Sequence, residues 1–552
     1  MDFSKFMKIT PINGFSEETA DARQNDYAWA MSELGEYLYV GTGRNIPNLA
    51  FDGLGLPVPA SFLPNDDYRA EIWRVKKDGS TDWELDFKTT EKSFGFRFMI
   101  QYPQNRISAK LYTAATSSDG RFAIIYRRTE RLSWSELARL EGGTSRSMVE
   151  HLRRLYVATV PLTSTDNVPR VYVLNESESG FDQIALPAEI TGEITSMISI
   201  FGHLYIGLAK QGGFEVWRTI GSDPSSGWQL VVDKGAGDAI NIIPFEMTFY
   251  NGSIFLGTGM VPFLPLLSGT PVITKGFDIV RIGADDQWQV VVGSKPLIAT
   301  DPVTGTRNEG VYPSGFGNPF NAYCWQIQSY GESIYAGSFD WSVVIPPSVQ
   351  SLVQALFEKL PDFLPFRVIE SVILATLNFI TAIPNPLFGF GLWKSDNGFK
   401  WETISTNGLG NGRNYGVRNL FPSVNGDLFL GTANPFQGCE VWVKSMPMID
   451  PSDDEEWNEL AEEELLDEEA WDELAEEELL EEEWTELAEE EQLDEEWNEL
   501  AEEELLDEEE WNELAEEELL EEETWGGQES PAPSSAREKL MQQLKDLSAG
   551  LK

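Results

Sequence analysis

Apolar and polar residues alternate in a unit that recurs along residues 1–449. Each unit has an alternating segment, a sharp turn and a second segment rich in aromatic residues and Gly, as in YAWAMSELGEYLYVGTG from Tyr27. Alternation with β-branched and aromatic enrichment is typical of strands joined in hairpins. The chain carries five clear and two weaker copies of this hairpin pattern, starting at Tyr27, Phe96, Met148, Ile194, Met247, Ala322 and Val417.

A third and usually a fourth strand follow each hairpin. EIWRV from Glu71 and FEVWRT from Phe214 are typical third strands, and WELDF from Trp83 and WQLVV from Trp228 are typical fourth strands. Four strands per repeat are typical of propeller blades, which bury their faces only by stacking around a ring. We therefore predict an all-β, seven-bladed β-propeller over residues 1–449. The last copy lacks a fourth strand, and we expect the segment FMKIT from Phe6 to supply it and close the ring.

Two motifs resemble those of known propellers. KSDNGFKW (Lys394–Trp401) resembles the Asp-box turn of sialidase-like propellers, although Ser395 lies one residue too close to Asp396. The LYVGTG…EIWR unit resembles WD40-like repeats and the repeat of uncharacterised prokaryotic seven-bladed propellers. The resemblance implies a fold and no particular activity, because propellers carry many functions.

Three connections between second and third strands are long, apolar and rich in Pro. They are Arg44–Ala70, Met260–Gly276 and Asp340–Gly389, and the third contains two helical patterns that predict a small helical insertion at about 345–389. One interpretation is a cap that forms an apolar pocket or docking surface, with peripheral membrane contact as a further role. The alternative is that the insertions pack on one another and seal the ring.

The loops that lead into the first strand of each blade hold the candidate ligand site. Four arginines there suit an anionic group, and two aspartates with nearby carbonyls suit a cation. The alternative is that these residues form turns and cap blades. The candidates are Arg23, Asp26, Arg97, Arg146, Asp238, Asn241, Asn321, Arg413, Asn414 and Arg418.

The amino-acid composition limits the kinds of functional site and partner that the chain is expected to have. The chain has only two His and two Cys, and the sequence singles out no catalytic residue, metal site or cofactor. The net charge of −51 disfavours nucleic acid as a partner, because the phosphate backbone repels it. The sequence shows no apolar signal segment and no run long enough to span a membrane, so we expect a cytoplasmic protein.

The acidic residues are concentrated in a repetitive segment. Of the 91 Asp and Glu residues, 42 lie between Asp450 and Trp525, where no Lys or Arg occurs. Residues 450–525 form Trp/Leu/Glu repeats that favour helix, although their neighbouring carboxylates repel one another. Weak binding of Ca²⁺ by these carboxylates is an open alternative. A linker at 526–535 and an amphipathic helix at 536–552 follow. The predicted partner-docking residues are Trp457, Trp471, Trp497, Trp511, Leu540, Leu544, Leu547 and Leu551.

The sequence favours a non-enzymatic interaction or scaffold protein, with the propeller as a platform and the acidic segment and terminal helix docking a basic or oligomeric protein. One alternative is a propeller hydrolase or lyase with a polar axial site under an apolar cap. Another is a cation-binding acidic protein. Charged side chains that converge in a deep axial pocket would favour the enzyme, whereas a plugged channel would favour binding.

Overall fold

The computed structural model describes residues 6–53, 67–104, 108–131, 133–160, 168–260, 275–344 and 389–445. The chain separates into two units, Met1–Pro447 and Met448–Lys552. The predicted helical insertion lies outside the described residues, apart from its last position. The acidic repeats, the linker, the amphipathic helix and all the predicted partner-docking residues also lie outside them.

The described strands form four-stranded antiparallel meanders, called here blades. Three are separate sheets, and single residue pairs such as Tyr27 with Ala433 join the others into one sheet of 16 strands. Blade 1 contains β2 (Asn25–Leu34), β3 (Tyr37–Arg44), β4 (Glu71–Lys76) and β5 (Glu84–Lys88). Blade 2 contains β6 (Phe96–Tyr102), β7 (Lys110–Thr116), β8 (Phe122–Arg128) and β9 (Ser135–Glu141). Blade 3 contains β10 (Thr144–His151), β11 (Arg154–Val160), β12 (Arg170–Leu174) and β13 (Phe181–Ile184). Blade 4 contains β14 (Glu193–Ile200), β15 (His203–Ala209), β16 (Glu215–Thr219) and β17 (Trp228–Val232).

The remaining blades follow the same order. Blade 5 contains β18 (Ile243–Tyr250), β19 (Ser253–Gly259), β20 (Ile279–Gly283) and β21 (Trp288–Val292). Blade 6 contains β22 (Asn321–Tyr330), β23 (Ser333–Asp340), β24 (Leu392–Ser395) and β25 (Glu402–Ser405). Blade 7 contains β26 (Gly416–Pro422), β27 (Asp427–Ala433), β28 (Val441–Ser445) and, from the start of the chain, β1 (Met7–Lys8).

Helix is a minor component of the described residues. The α-helical segments are α1 (Thr19–Gln24), α2 (Ile46–Gly53) and the single turn α3 (Lys234–Gly237), and 3₁₀ turns occupy Pro224–Ser226, Ser314–Gly317 and Trp341–Val344. Within the described ranges, no helix has the length and apolar character needed to cross a bilayer.

The first strands of the blades, called here the inner strands, lie next to one another. Each inner strand contacts the next, in the order β2, β6, β10, β14, β18, β22 and β26, and β26 contacts β2 again. In blade 7, Met7 pairs with Val443 and Lys8 with Trp442, so the start of the chain supplies the missing strand. The all-β propeller fold that the sequence predicts is confirmed, and the segment from Phe6 closes it as expected.

The Gly residues of the repeated second strand lie where adjacent blades press together. A Cβ atom on Gly337 would lie 2.4 Å from Cβ of Val417 in the next blade, and one on Gly257 would lie 2.7 Å from Sγ of Cys324. A Cβ on Gly431 would lie 2.7 Å from Cβ of Ala28, across the point of ring closure. The repeat therefore keeps Gly there for close packing of neighbouring blades.

Deleting Phe6–Thr10 is expected to destabilise the propeller by about 3–5 kcal/mol, because it removes a buried aromatic residue and leaves β28 as an unpaired edge. Phe6 is 9% exposed and packs in a cluster with Tyr330 and Leu428. Urea denaturation of the full chain measures the effect, with Met7→Ser, at a side chain that is 40% exposed, as the control. An unchanged urea midpoint for the deletion would show that the ring does not need this strand.

Candidate active site in the axial cavity

In every inner strand, the pairing with the second strand shifts register at the same level. At that level the inner strand has one more residue than its partner, which makes a β-bulge. Such bulges redirect side chains and are common near active sites. In β6 the bulge involves Arg97 and Phe98 together. One bulged residue from each inner strand at this level, seven in all, makes up what is called here the axial belt: Trp29, Arg97, Arg146, Thr195, Phe245, Trp325 and Arg418.

A cavity of about 550 Å³ follows the axis of the ring, and all seven residues of the axial belt line it. Below the belt it continues past Glu33, Gln104 and Gln328 toward the hairpin turns that end the inner strands. Val424, also in its lining, is 68% exposed, so the cavity opens to solvent on the hairpin face. This volume suits a ligand of the size of one or two sugar rings.

An aromatic cluster covers the other end of the cavity. Tyr27, Phe320, Phe339, Trp341 and Tyr415 are buried together with the belt residues Trp29, Phe245 and Trp325. The hydroxyl groups of Tyr27 and Tyr415 are hydrogen-bonded to each other. This cluster lies on the side of the axial belt opposite the hairpin turns.

The three arginines of the belt have no ion pair within the described residues. Nη1 of Arg97, Nε of Arg146 and Nε of Arg418 are buried atoms without a hydrogen-bond partner. The guanidinium carbon of Arg97 lies 4.7 Å from the ring centre of Trp29, and that of Arg418 lies 5.2 Å from that of Trp325. Arg97 and Arg418 therefore lie over tryptophan rings, an attraction that does not neutralise their charge.

Desolvation and mutual repulsion act on these arginines. Burial, with the charges of Arg146 and Arg418, holds the pKa of Arg97 well below its usual value. Burial and Arg146 lower the pKa of Arg418 to about 9, and burial lowers that of Arg146, where the charge of Glu193 acts in the opposite direction. The belt is thus a concentrated positive site with little internal compensation.

Glu246 directly follows the bulge of β18 and lines the same cavity. Desolvation by burial raises the pKa of its carboxyl to about 8, although the charge of Arg418 and a hydrogen bond from the Met247 N–H oppose the shift. Glu246 is therefore mostly protonated at neutral pH. A carboxyl group with a pKa near the working pH is suited to transfer protons in catalysis.

Glu33 is the other carboxyl in the cavity lining, near the hairpin face. It is buried and already bonded, because its Oε2 lies 2.5 Å from Nζ of Lys77 and its Oε1 accepts a hydrogen bond of 2.8 Å from the Val424 N–H. The hydroxyl of Ser423 also donates to it. These contacts hold the Glu33 side chain in place and join the turn of blade 7 to blade 1.

Three of the predicted ligand-binding residues, Arg97, Arg146 and Arg418, meet in this cavity. They lie within strands, at the bulges, and not in the loops where the sequence places them. Three predicted asparagines have a structural role instead. The side-chain amides of Asn241, Asn321 and Asn414 donate to the carbonyl oxygens of Gly235, Gly315 and Gly408, at 3.0–3.1 Å. Each stabilises a turn in which the Gly has positive φ, outside the cavity lining.

The other four predicted residues also lie outside the cavity lining. The carboxylate of Asp26 accepts a hydrogen bond of 2.6 Å from the Ile46 N–H, and burial raises its pKa well above the usual value. Asp238 is buried, 2.9 Å from Nζ of Lys275, and accepts hydrogen bonds from the backbone N–H groups of Leu297 and Ile298. Arg23 belongs to α1, and Arg413 is exposed beside Phe436. None of the four faces the axis.

The remaining motifs are structural. His151 is buried, with Nδ1 2.8 Å from Oγ of Ser199, and both cysteines are buried and unpaired. In the Asp-box-like turn, Oγ of Ser395 accepts from the Gly398 N–H and Oδ1 of Asn397 accepts from the Lys400 N–H. This turn therefore stabilises a hairpin and does not reach the axis.

Sequence reasoning missed Glu246, Trp29 and Trp325. The signal was available, because aligning the seven inner strands on the Gly or Ala of the second strand brings the belt residues into one column. A column of Trp, Arg, Arg, Thr, Phe, Trp and Arg is unusual for a position that faces other blades. It indicates a surface that lines the axis.

Replacing Arg97 with Met is expected to stabilise the unliganded protein by about 1–3 kcal/mol, since it removes a buried charge that two other arginines repel. Chemical denaturation of the full chain measures the change. Arg413→Met, at an exposed side chain, is the matched control and should change stability by less than about 0.5 kcal/mol. A clear loss of stability in Arg97→Met would contradict this electrostatic account.

Comparison with known proteins gives no match to a family model and none to a curated protein. Three similar solved structures are the β-propeller domain of the Trilobed protease from Pyrococcus furiosus, the GH43_1 enzyme from Xanthomonas citri bound to xylose, and an exo-β-1,3-galactanase from Phanerochaete chrysosporium bound to β-1,3-galactotriose. Their TM-scores are 0.37, 0.29 and 0.28, and their identities are 8%, 10% and 8%.

The matched regions differ in extent. They cover 75%, 51% and 48% of this chain and 94%, 92% and 66% of the protease domain, the xylose-bound enzyme and the galactanase, respectively. The chain thus spans slightly less than two thirds of the galactanase. Likeness at this level concerns the general fold, and it does not transfer an activity to this chain.

The prediction of a non-enzymatic scaffold is corrected. Two of the three structures above are of enzymes, one bound to xylose and one to β-1,3-galactotriose. The correction rests on the axial cavity, which the side chains of Arg97, Arg418 and Glu246 line together. A cavity lined by charged and titratable side chains with perturbed pKa values is typical of a catalytic or ligand-binding site.

Proposed function

We propose that the protein is a hydrolase that works in the axial cavity, with Glu246 as its proton donor. The observation that carries this proposal is the position of Glu246, which lines a solvent-open cavity together with three arginines. The raised pKa of its carboxyl, about 8, supports it. We further propose that the seven four-stranded blades are the complete ring, so that the site lies on the axis of a seven-bladed propeller.

In the proposed reaction, protonated Glu246 donates to the oxygen atom of the leaving group as the bond to that oxygen breaks. Water adds to the other fragment and returns a proton to the carboxylate. The charge of Arg418 lowers the pKa of Glu246, so it stabilises the carboxylate that forms in this step. Trp29 and Trp325 supply flat apolar walls beside the polar groups. Proton donation by a positioned carboxyl contributes about 10²–10⁴-fold to a rate.

A screen of the full-length protein against nitrophenyl glycosides and acidic and neutral oligosaccharides tests the proposal. New reducing ends without ultraviolet absorbance from an unsaturated sugar indicate hydrolysis, whereas that absorbance indicates a lyase and overturns the hydrolase assignment. Glu246→Gln should lower turnover by about 10²–10⁴-fold. Glu332→Gln, at an exposed turn position, is the control and should retain it. Turnover that is equal in Glu246→Gln and the wild type would refute the role of Glu246.

A further inference from the structure

The three arginines of the axial belt lack a counter-ion. Arg97, Arg146 and Arg418 come from blades 2, 3 and 7, and all three line one cavity. Each has at least one buried nitrogen atom with no partner. Removing a donor from water without replacing its hydrogen bond is unfavourable, and three like charges in one cavity add to this cost.

The acidic groups nearby do not remove this charge. Glu246 is mostly neutral at pH 7, and Glu33 is occupied by Lys77 and the turn of blade 7. Glu193 acts on Arg146 and Arg97 through its charge, but it forms no ion pair with them in the described part of the chain and is absent from the cavity lining. The described residues therefore leave the belt with a net positive charge.

We infer that Arg97, Arg146 and Arg418 bind an oxyanion that is part of the substrate, so that the cavity takes an acidic organic molecule of the size of one or two sugar rings. Guanidinium groups are suited to carboxylate, sulfate and phosphate, because they present several donors in one plane. Stacking on Trp29 and Trp325 fixes the planes of Arg97 and Arg418 before the ligand binds. Such preorganisation lowers the entropic cost of binding.

The geometry also orients the ligand. Glu246 is next to the bulge of β18, at the level of the belt, and the charge of Arg418 reaches it. An acidic group held by the arginines would place the adjoining part of the molecule beside Glu246. The rest of the ligand would extend past Gln328 toward the hairpin face, where the cavity opens. The identity of the anion as part of the substrate rests on the proposed function, whereas anion binding itself does not.

Calorimetry on the full-length protein tests the inference with D-glucuronate, glucose 6-sulfate, glucose 6-phosphate and neutral D-glucose. At least one acid should bind at least about tenfold more tightly than glucose. The acid that binds best identifies the anion as carboxylate, sulfate or phosphate. Arg97→Gln and Arg146→Gln should each weaken that binding by about tenfold or more, whereas Arg413→Gln should leave it unchanged. Equal affinity for acid and glucose, or no effect of the belt variants, would overturn the inference.

Inorganic sulfate supplies a second measurement that does not depend on the choice of sugar. At matched ionic strength, sulfate should raise the Tm of the wild type saturably relative to chloride, and the increment should disappear in the Arg97→Gln/Arg146→Gln double variant. An identical sulfate response in both proteins would count against the site. The variants should be at least as stable as the wild type without ligand, so a loss of binding does not reflect a loss of fold.

The two proposals fail in different ways. If Glu246→Gln leaves turnover unchanged while the belt variants lose sulfate binding, the hydrolase proposal is wrong and the anion site stands. If turnover requires Glu246 while the belt variants bind acid normally, the anion site is wrong and the hydrolase proposal stands.

Discussion

Replacing Glu246 with Gln is expected to lower kcat by about 10²–10⁴-fold, because the amide has the shape of the protonated carboxyl but cannot donate its proton in the same way. The activity of the wild type should be constant below pH 8 and should fall at higher pH with an apparent pKa of about 8. The measurement is the pH profile of kcat on the substrate that the screen identifies. A variant whose kcat and pH profile equal those of the wild type would show that Glu246 has no catalytic role.

Glu246→Gln is expected to raise the stability of the folded protein at high pH, although it lowers the activity. The pKa of Glu246 rises from 4.5 to about 8 on folding, so between these values the folded protein holds a proton that the unfolded chain has released. The free energy of unfolding of the wild type therefore falls as the pH rises through this interval and levels off above pH 8. Glu246→Gln lacks this loss and should be about 2–4 kcal/mol more stable at pH 9, relative to the difference between the two proteins at pH 4.5.

Urea denaturation of both proteins across this pH range separates catalysis from fold. Higher stability together with lower activity is expected for a residue whose buried charge is kept for chemistry. Parallel stability curves for the two proteins would mean that the carboxyl ionises at an ordinary pH. That result would contradict both the buried environment of Glu246 and its role as an acid.

Replacing Gly337 with Ala is expected to destabilise the protein by about 2–4 kcal/mol, since overpacking forces the backbones of two blades apart. The added Cβ would lie 2.4 Å from Cβ of Val417 and 2.6 Å from its Cγ2, closer than van der Waals contact allows. Val417 precedes Arg418, so a shift of β26 also moves an arginine of the axial belt. The variant should therefore bind acidic ligands more weakly.

Gly180→Ala is the matched control for this prediction. Gly180 does not have positive φ, and the nearest neighbour of an added Cβ is Nδ2 of Asn175 at 3.5 Å. This substitution should change the free energy of unfolding by less than about 0.5 kcal/mol. Equal urea midpoints for Gly337→Ala and the wild type would show that blades 6 and 7 can separate without cost.

The propeller can be predicted from the sequence because the pattern of residues that forms each blade is local and repeated. Each hairpin carries its own alternation, and the Gly of its second strand marks the contact with the next blade, as at Gly257 and Gly337. The closing strand is readable because the last repeat visibly lacks one. Tertiary packing and local pattern agree at these positions, which makes the fold predictable.

The residues of the axial cavity are harder to predict from the sequence, for two physical reasons. A bulge adds a residue to a strand and reverses which side chains face the axis after it, so alternation cannot assign the side of Glu246. The Asn residues are ambiguous in sequence because the same donor group serves a ligand or a turn. Asn241 and Asn414 hydrogen-bond to carbonyl oxygens in Gly turns, and only the folded chain shows that these bonds use their donors.

The sequence identifies the arginines as candidates, but it does not predict where their side chains lie in the fold. Arg97, Arg146 and Arg418 were identified as anion-binding candidates from their charge and their place in the repeat. Their position in the bulges, and the contact of Arg97 with Trp29, follow from pairing in three dimensions. Arg413 has the same charge and lies only five residues from Arg418, yet it is exposed beside Phe436.

Infrared difference spectroscopy of the wild type against Glu246→Gln tests the central claim most directly, because it observes the C=O stretch of a protonated carboxyl. We expect a band at pH 6 that is absent from the variant and that disappears from the wild type with an apparent pKa of about 8. A spectrum in which the Glu246 carboxyl is already ionised at pH 6 would contradict the account.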